Sequence, residues 1–231
     1  MPGGIARLPE KALLAQLWRD EDMSIEAFSL GPLETNCYVL HDSAYALAVD
    51  PGGDPAAVAR FLQDRRLTLL AILNTHLHFD HILGNAALQA ATGAPVRTPE
   101  GDASLMDSEL GRGGMWGFPK VPAFTSTPLA EGEHSFGPFL CRALHTPGHS
   151  PGSLCFVVPA ENAVFVGDVI FYRGVGRTDF PGGDMETLLR SIREKIFTLP
   201  GDTRLYPGHG LPATVADEQR NNPFCGLFGG Q

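Results

Sequence analysis

The sequence predicts an α/β fold in which strands and helices recur in two similar halves. Short apolar runs of strand length alternate with amphipathic helical patterns, and turn signals such as Asp50-Pro-Gly-Gly separate them. One run, from Leu67 to Leu73, is almost wholly apolar, as expected of a strand buried on both faces. Of the 231 residues 43% are hydrophobic and 19% charged, an ordinary globular balance with ample material for a core.

In the first half, the segment from Ser24 to Asp50 is expected to hold three strands. Asp54-Pro55 then reads as a helix N-cap with proline at the first helical position. The buried strand Leu67 to Leu73 follows, and an alanine-rich helix is predicted from about Ile82 to Ala91.

In the second half, the glycine, proline and aromatic residues between Gly111 and Pro128 predict a long loop. Asp184 is a predicted N-cap for an amphipathic helix that runs to about Leu199, and Thr214 caps a final helix. The other predicted elements are the strands Phe139 to Leu144, Leu154 to Val158, Ala163 to Val166 and Arg204 to Tyr206.

No boundary has linker composition, so residues 23–231 are predicted to form a single domain and residues 1–22 an N-terminal extension. The formal net charge of −9 argues against a nucleic-acid partner, and no apolar run approaches the length of a bilayer. Nothing in the first 22 residues resembles a secretory signal, so the expected compartment is the cytoplasm. The four cysteines are expected to be free thiols, and no oligomeric state is assigned.

The strongest chemical signal is a cluster of histidines and one aspartate directly after the buried strand. Its members are His76, His78, Asp80 and His81. In an extended segment His76 and His78 project to one side, whereas on a helix they would diverge. Imidazole and carboxylate are ligands that zinc, iron and manganese accept, so the cluster predicts a metal site.

Three later segments also present polar side chains at predicted strand ends. His149 lies in a loop rich in proline and glycine, Asp168 ends an apolar strand, and His209 follows a Pro-Gly turn. Taken singly, a residue in such a position more often has a structural role than a metal-binding one. A carboxylate at the end of an apolar strand is costly unless it is paired or bound to metal.

Together the motifs THLHFDH, HTPGH, VGD and PGH resemble the metallo-β-lactamase superfamily, and the match spans most of the chain. The resemblance implies a four-layer αβ/βα sandwich with two mixed sheets flanked by helices. It also implies two divalent metal ions, which could be zinc, iron or manganese. His76, His78 and His149 would bind one ion, Asp80, His81 and His209 the other, and Asp168 would bridge them.

In that family a hydroxide shared by the two metals attacks the substrate, and a metal stabilises the oxyanion that forms. The resemblance gives Asp80 a catalytic role as well, since it could orient the hydroxide and move its proton. Asp50, in a VDPG turn, is expected to support the site without binding metal.

The segments HTPGHSPGSLCF, VGDVIF and GRTDFPGGD look most like the glyoxalase II branch, the hydroxyacylglutathione hydrolases. Full-length members carry a C-terminal helical region that binds glutathione, and the chain resembles the short form without it. The implied substrate is a small-molecule thioester that could derive from glutathione, such as S-lactoylglutathione. Tyr172, Arg173 and Arg177 are candidates for binding an anionic substrate, although Arg177 could instead pair with Asp179.

A persulfide dioxygenase is the alternative, because GRTDF and EKIFTLPGD also resemble that group. Those enzymes use one iron, on positions matching His76, His149 and Asp168, to oxidise glutathione persulfide. A β-lactamase is possible by fold, but nothing in the sequence implies export. A non-catalytic binding protein would not need seven ligands.

Overall fold

A computed structural model describes residues 23–227, and the predicted extension at residues 1–22 lies outside this range. The described chain contains two six-stranded sheets and a two-stranded one. The predicted α/β class with two mixed sheets and flanking helices is confirmed.

The first half of the chain forms the first sheet, in the order β1-β2-β3-β4-β5-β6. β1, β2 and β3 pair antiparallel, and β3 to β6 pair parallel. The strands are β1 Ser24–Leu30, β2 Thr35–His41, β3 Tyr45–Val49, β4 Thr68–Leu73, β5 Val96–Pro99 and β6 Ser126–Leu129.

The second half forms the second sheet, in the order β14-β13-β10-β9-β8-β7, while β11 and β12 make a separate hairpin. β10 and β13 run parallel, and the other neighbours in this sheet are antiparallel. The strands are β7 Gly132–Phe136, β8 Phe139–His145, β9 Leu154–Val158, β10 Ala163–Gly167, β11 Ile170–Phe171, β12 Gly174–Val175, β13 Arg204–Pro207 and β14 Ala213–Thr214.

Six α-helices lie within residues 23–227, none long and apolar enough to cross a bilayer. They are α1 Ala56–Arg65, α2 Phe79–Ile82, α3 Asn85–Thr92, α4 Glu109–Arg112, α5 Met185–Ser191 and α6 Val215–Asn221. The described residues also contain three 3₁₀-helical segments and one π-helical turn. These are Glu100–Asp107, Met115–Gly117 and Pro159–Glu161, and the π-helical turn Ile192–Ile196.

The side chains of one strand show how the layers are built. In β9, Leu154, Phe156 and Val158 point into a core between the two sheets. Cys155 and Val157 point the other way, into a core shared with Leu188 and other residues of the helices. This alternation follows from the pleat, which turns successive side chains to opposite faces.

The first sheet has the same arrangement, because Val39 on β2 packs against Val58 of α1 and Leu88 of α3 on its outer face. The order of layers is therefore helix, sheet, sheet, helix, which is the predicted sandwich. The four cysteines are buried free thiols, as the sequence predicted.

The predicted helix from Ile82 to Ala91 is wrong in detail, because two helices meet at Leu83–Gly84. Gly84 N–H donates to the Pro51 carbonyl at 2.7 Å, and a Cβ atom on Gly84 would lie 2.7 Å from that oxygen. This close approach breaks the helix. Asp80 and His81 therefore lie on a separate short helix, α2, which ends at Ile82.

Candidate metal centre

Every predicted ligand lies just beyond the carboxyl end of a strand. The segment His76–His81 follows β4, His149 follows β8, Asp168 follows β10 and His209 follows β13. The ends of these strands meet along one rim of the sandwich, where ligand sites of α/β proteins tend to form. All seven predicted ligand residues therefore come together, although they span 134 positions of sequence from 76 to 209.

Three histidines form the first of two clusters. One ring nitrogen from each of His76, His78 and His149 lies within 4.8 Å of the others, and all three residues are buried. The Nε2 atoms of His76 and His149 are 3.2 Å apart. Three imidazoles at this spacing are a donor set that zinc, iron or manganese accepts.

Asp80, His81 and His209 form the second cluster within the same 4.8 Å limit. Asp80 Oδ2 is 3.3 Å from His209 Nε2 and 3.6 Å from His81 Nε2. Asp168 lies between the clusters, with Oδ1 3.3 Å from His81 Nε2 and Oδ2 3.7 Å from His149 Nε2. This carboxylate can contact an ion in either cluster.

The hydrogen bonds of His149 and His209 decide which ring nitrogen faces the centre. His149 Nδ1 is 2.8 Å from the Arg177 carbonyl oxygen, and His209 Nδ1 is 3.1 Å from that of Leu33. A carbonyl oxygen can only accept, so each Nδ1 carries the proton and donates. In the neutral rings the Nε2 lone pairs then point inward, ready to bind a cation.

Asp50 orients His76 and His81 in the same way. Asp50 Oδ2 accepts from His81 Nδ1 at 3.0 Å and from the Thr75 hydroxyl at 2.6 Å. Because the Thr75 hydroxyl gives its proton to Asp50, its oxygen accepts from His76 Nδ1, 3.1 Å away. Asp50, His76 and His81 also lie within 4.8 Å of one another. Both Asp50 oxygens, however, accept hydrogen bonds from Thr75, and one of them also accepts from His81, on the side away from the centre. Asp50 therefore supports the ligand histidines and is not counted among the metal ligands.

The charges of the site fit bound cations. Burial, together with His149, lowers the pKa of His78 to about 3, so this ring is neutral. Burial opposes a charge on His81, but Asp168 and Asp80 hold its pKa well above the usual range. Although burial favours its protonated form, Asp168 has a pKa below the usual range because of His81.

Two buried polar atoms at the centre, His81 Nε2 and Asp168 Oδ1, form no well-aligned hydrogen bond, although they lie 3.3 Å from each other. Buried polar atoms without such a bond are rare in folded proteins because each costs free energy. The Nε2 atoms of His76 and His149 also face each other at 3.2 Å, a spacing that one shared cation can bridge. The donor set therefore fits two divalent ions.

A glycine lets the last ligand strand approach the others. A Cβ atom on Gly208 would clash with Asp168 Oδ1 and lie 2.6 Å from His81 Cε1. The backbone before His209 therefore packs directly against Asp168 and His81, which any larger residue would prevent.

Asp102 is a site residue that the sequence analysis missed. It is fully buried in the segment Glu100–Asp107 and accepts hydrogen bonds from Leu77 N at 3.1 Å and Gly152 N at 2.6 Å. The Ser150 hydroxyl also donates to it, at 2.8 Å. One carboxylate thus joins the loop of His76 and His78 to the loop of His149. The sequence did not indicate this role, because no histidine or other candidate ligand lies near Asp102 in the chain.

A cavity of about 460 Å³ opens onto the centre, with His78, Asp80, His149, Asp168 and His209 at its inner end. The rest of its wall is mainly apolar and includes Leu110, Met115, Phe118, Phe171 and Phe180. This is the size and character of a small-molecule site.

Of the three candidates for substrate binding, Arg177 lines this cavity, and Tyr172 and Arg173 do not. Arg173 forms ion pairs with Asp217 at 3.0 Å and Glu218 at 2.6 Å. Arg177 forms two hydrogen bonds of 2.7 Å with Asp179, which is the alternative that the sequence left open.

Comparison with known proteins agrees with this architecture. Residues 30–209 match the family model described as the Metallo-beta-lactamase superfamily. The probable metallo-hydrolase YqgX of Bacillus subtilis (strain 168) is 41% identical over 202 residues, covering 86% of this chain and 96% of that protein. The hydroxyacylglutathione hydrolase GloC of Haemophilus influenzae is 35% identical over 207 residues, covering 87% and 98%.

Among solved structures, TTHA1623 in a di-iron-bound form has a TM-score of 0.78 and 38% identity, covering 86% of this chain and 99% of that one. The matched family model, these relatives and the four-layer sandwich agree. The chain belongs to the metallo-β-lactamase superfamily.

Proposed function

We propose that this protein is a metal-dependent hydrolase that cleaves a thioester, with S-lactoylglutathione as the first substrate to test. The observation that carries the proposal is the convergence of two three-residue clusters, with Asp168 between them, at the inner end of one cavity. We assign His76, His78 and His149 to one divalent ion and Asp80, His81 and His209 to the other. Asp168 would contact both.

Bound divalent ions would supply an activated water and would balance the negative charge that develops on the thioester carbonyl oxygen. The chain's own contribution is to hold and orient the reactants. Asp80 lines the cavity, and its pKa is lowered by His81 and His209 although burial raises it. It is therefore ionised at neutral pH and can accept a hydrogen bond from the attacking water and then its proton.

The balanced reaction consumes one water. The water oxygen bonds to the carbonyl carbon, the carbon–sulfur bond breaks, and the thiolate leaves and takes up a proton. The products are a carboxylic acid and a free thiol. The similarity to GloC, whose name states hydrolysis of hydroxyacylglutathione, supports this substrate class, as do the glyoxalase II-like motifs.

The alternative is the mononuclear-iron dioxygenase that would use His76, His149 and Asp168. The hydrolase is favoured because Asp80, His81 and His209 form a second three-residue cluster, in which the buried His81 Nε2 atom makes no well-aligned hydrogen bond. A protein that binds one iron on His76, His149 and Asp168 would leave the residues of this second cluster without a bound ion.

The free, buried cysteines suit a reducing compartment, so we also infer a cytoplasmic location. The core between the sheets contains residues from both halves of the chain, which supports the proposed single domain.

Metal analysis of the purified protein, paired with activity assays, tests the proposal. We expect two ions per chain and hydrolysis of S-lactoylglutathione that is lost on chelation and restored by zinc, iron or manganese. One iron per chain, with oxygen uptake on glutathione persulfide, would instead establish the dioxygenase. A β-lactam such as nitrocefin serves as a third substrate, and its exclusive turnover would also refute the thioesterase.

A further inference from the structure

The cavity next to the metal ligands continues into a second space. A groove of about 620 Å³ lies alongside it, and Leu110, Met115, Trp116 and Phe180 line both. Trp116 is 73% exposed although it is a large apolar residue. An exposed aromatic side chain beside an apolar cavity is typical of a surface that binds a ligand.

Charge is scarce along this path. Beyond the metal-ligand residues, two charged side chains line these spaces in the described part of the chain, Arg177 in the cavity and Glu109 in the groove. The guanidinium of Arg177 already forms two hydrogen bonds of 2.7 Å with Asp179 and lies 3.9 Å from the centre of the Phe180 ring. The charge of Arg177 is therefore balanced by Asp179, although its side chain is 54% exposed, and Glu109 would repel the carboxylates of glutathione.

This lining does not suit the glutathione part of a thioester. Glutathione carries two carboxylates and one ammonium group at neutral pH, and an unpaired buried charge is very costly. An uncharged acyl group meets no such cost, and each methylene that it buries against Met115 or Phe180 favours binding. With the carbonyl at the inner end, the acyl group would lie in the cavity and the glutathione part would remain in solvent.

We propose that the apolar cavity and the adjoining groove bind the acyl group of the substrate, and that this selects thioesters with alkyl or aromatic acyl groups over lactoyl thioesters. The inference rests on the proposed function, since it takes the occupant to be part of a thioester. A lactoyl group is small and carries a hydroxyl, so it fills little of this space and gains little from apolar walls.

The first test compares acetyl, butyryl, hexanoyl and benzoyl thioesters of glutathione. We expect kcat/KM to rise about threefold for each added methylene, slightly less than complete burial would give. Hexanoyl and benzoyl glutathione should exceed S-lactoylglutathione by more than about tenfold. Values of kcat/KM that stay flat or fall along the series, with S-lactoylglutathione the best substrate, would overturn the inference and leave the thioesterase intact.

The second test does not depend on turnover. S-methyl, S-butyl and S-hexyl glutathione are thioethers that cannot be hydrolysed, and their Kd can be measured by calorimetry. The Kd should fall about threefold per methylene, with a heat-capacity change that becomes more negative. A Kd independent of chain length would overturn the inference. Tightening Kd values without cleavage of any thioester would support the apolar site and contradict the proposed reaction.

Two variants locate the effect. Trp116→Ala should lower the ratio of kcat/KM for hexanoyl over acetyl glutathione about fivefold, and Trp116→Phe should restore most of it. Leu140→Ala is the matched control, because Leu140 is also an exposed apolar residue, 49% exposed, but lies on β8 outside both spaces. An unchanged ratio in Trp116→Ala, or an equal drop in Leu140→Ala, would contradict the assigned path.

Discussion

Replacing Asp102 with alanine should weaken both the fold and the metal centre. The substitution removes the acceptor of the N–H groups of Leu77 and Gly152, both of which are buried with it. A buried donor without an acceptor costs about 1–3 kcal/mol. The Ser150 hydroxyl loses less, since Ser153 Oγ lies 2.6 Å away and can replace Asp102 as its partner.

The two backbone groups together predict a loss of about 2–6 kcal/mol in the free energy of unfolding of the metal-free protein. Urea unfolding measures it. Because Leu77 lies between His76 and His78, the loss also loosens the ligand loops, and comparable supporting contacts change metal affinity by about 10–100-fold. Zinc competition against a chelating dye measures this second effect.

Two further variants make the test specific. Asp102→Asn keeps one acceptor oxygen but turns an amide donor toward the other N–H group, so it should retain part of the zinc affinity and about half of the stability. Asp107→Ala is the control, an exposed aspartate at the end of the same 3₁₀ segment. If Asp102→Ala unfolds at the urea concentration of Asp107→Ala, or if it loses stability with unchanged zinc affinity, the positioning role is refuted.

Two other predictions concern the centre and the second half of the fold. His81→Ala and Asp168→Ala should each lower kcat about 10²-fold or more while the chain stays folded, whereas His134→Ala, on the edge strand β7, should keep full activity. An unchanged thioesterase rate in either ligand variant would contradict the dinuclear mechanism. Asp184 caps α5 by accepting from Thr187 N, which lowers its pKa, so its stabilisation is present above pH 4 and is lost as the pH falls further. Asp184→Ala should therefore lower the Tm at pH 7 but much less at pH 3, and a Tm difference that grows toward acid pH would contradict the cap.

Much of the fold could be predicted because several central strands are apolar along their length, a pattern visible in their own residues. β9 was predicted at its observed bounds, since LCFVV is apolar throughout and lies between two cores. The Asp184 cap was also correct, and its helix continues as a π-helical turn that keeps Leu188, Ile192 and Ile196 in one core.

The edge strands β6 and β7 could not be predicted in this way. β6 has the sequence STPL, in which Leu129 is the one buried residue and Pro128 cannot donate to a neighbour. β7 has no buried residue, so its pairing with β8 decides its structure. Such strands are held by pairing with a neighbouring strand rather than by burial of their own side chains, and patterns of apolar residues therefore miss them.

The metal ligands and the cavity walls also differ in how strongly local sequence determines their positions. This difference indicates which residues can change the preference for an acyl group. Each ligand follows a strand end and belongs to a short local motif, THLHFDH, HTPGH, VGD or PGH, so a few neighbouring residues fix its position. Leu110 of α4 and Met115 and Trp116 of the following turn form one part of the apolar wall. In this segment Gly113 and Gly114 have positive φ angles, and Trp116 lies outside the regular helical region at φ 49°. Leu110 packs with Leu77 and Ile82 beside the ligand residues, whereas Trp116 is 73% exposed, so a substitution at Trp116 alters the wall without displacing Asp168 or the histidines. We therefore expect acyl-group preference to respond to changes at Trp116 far more than the chemical step does.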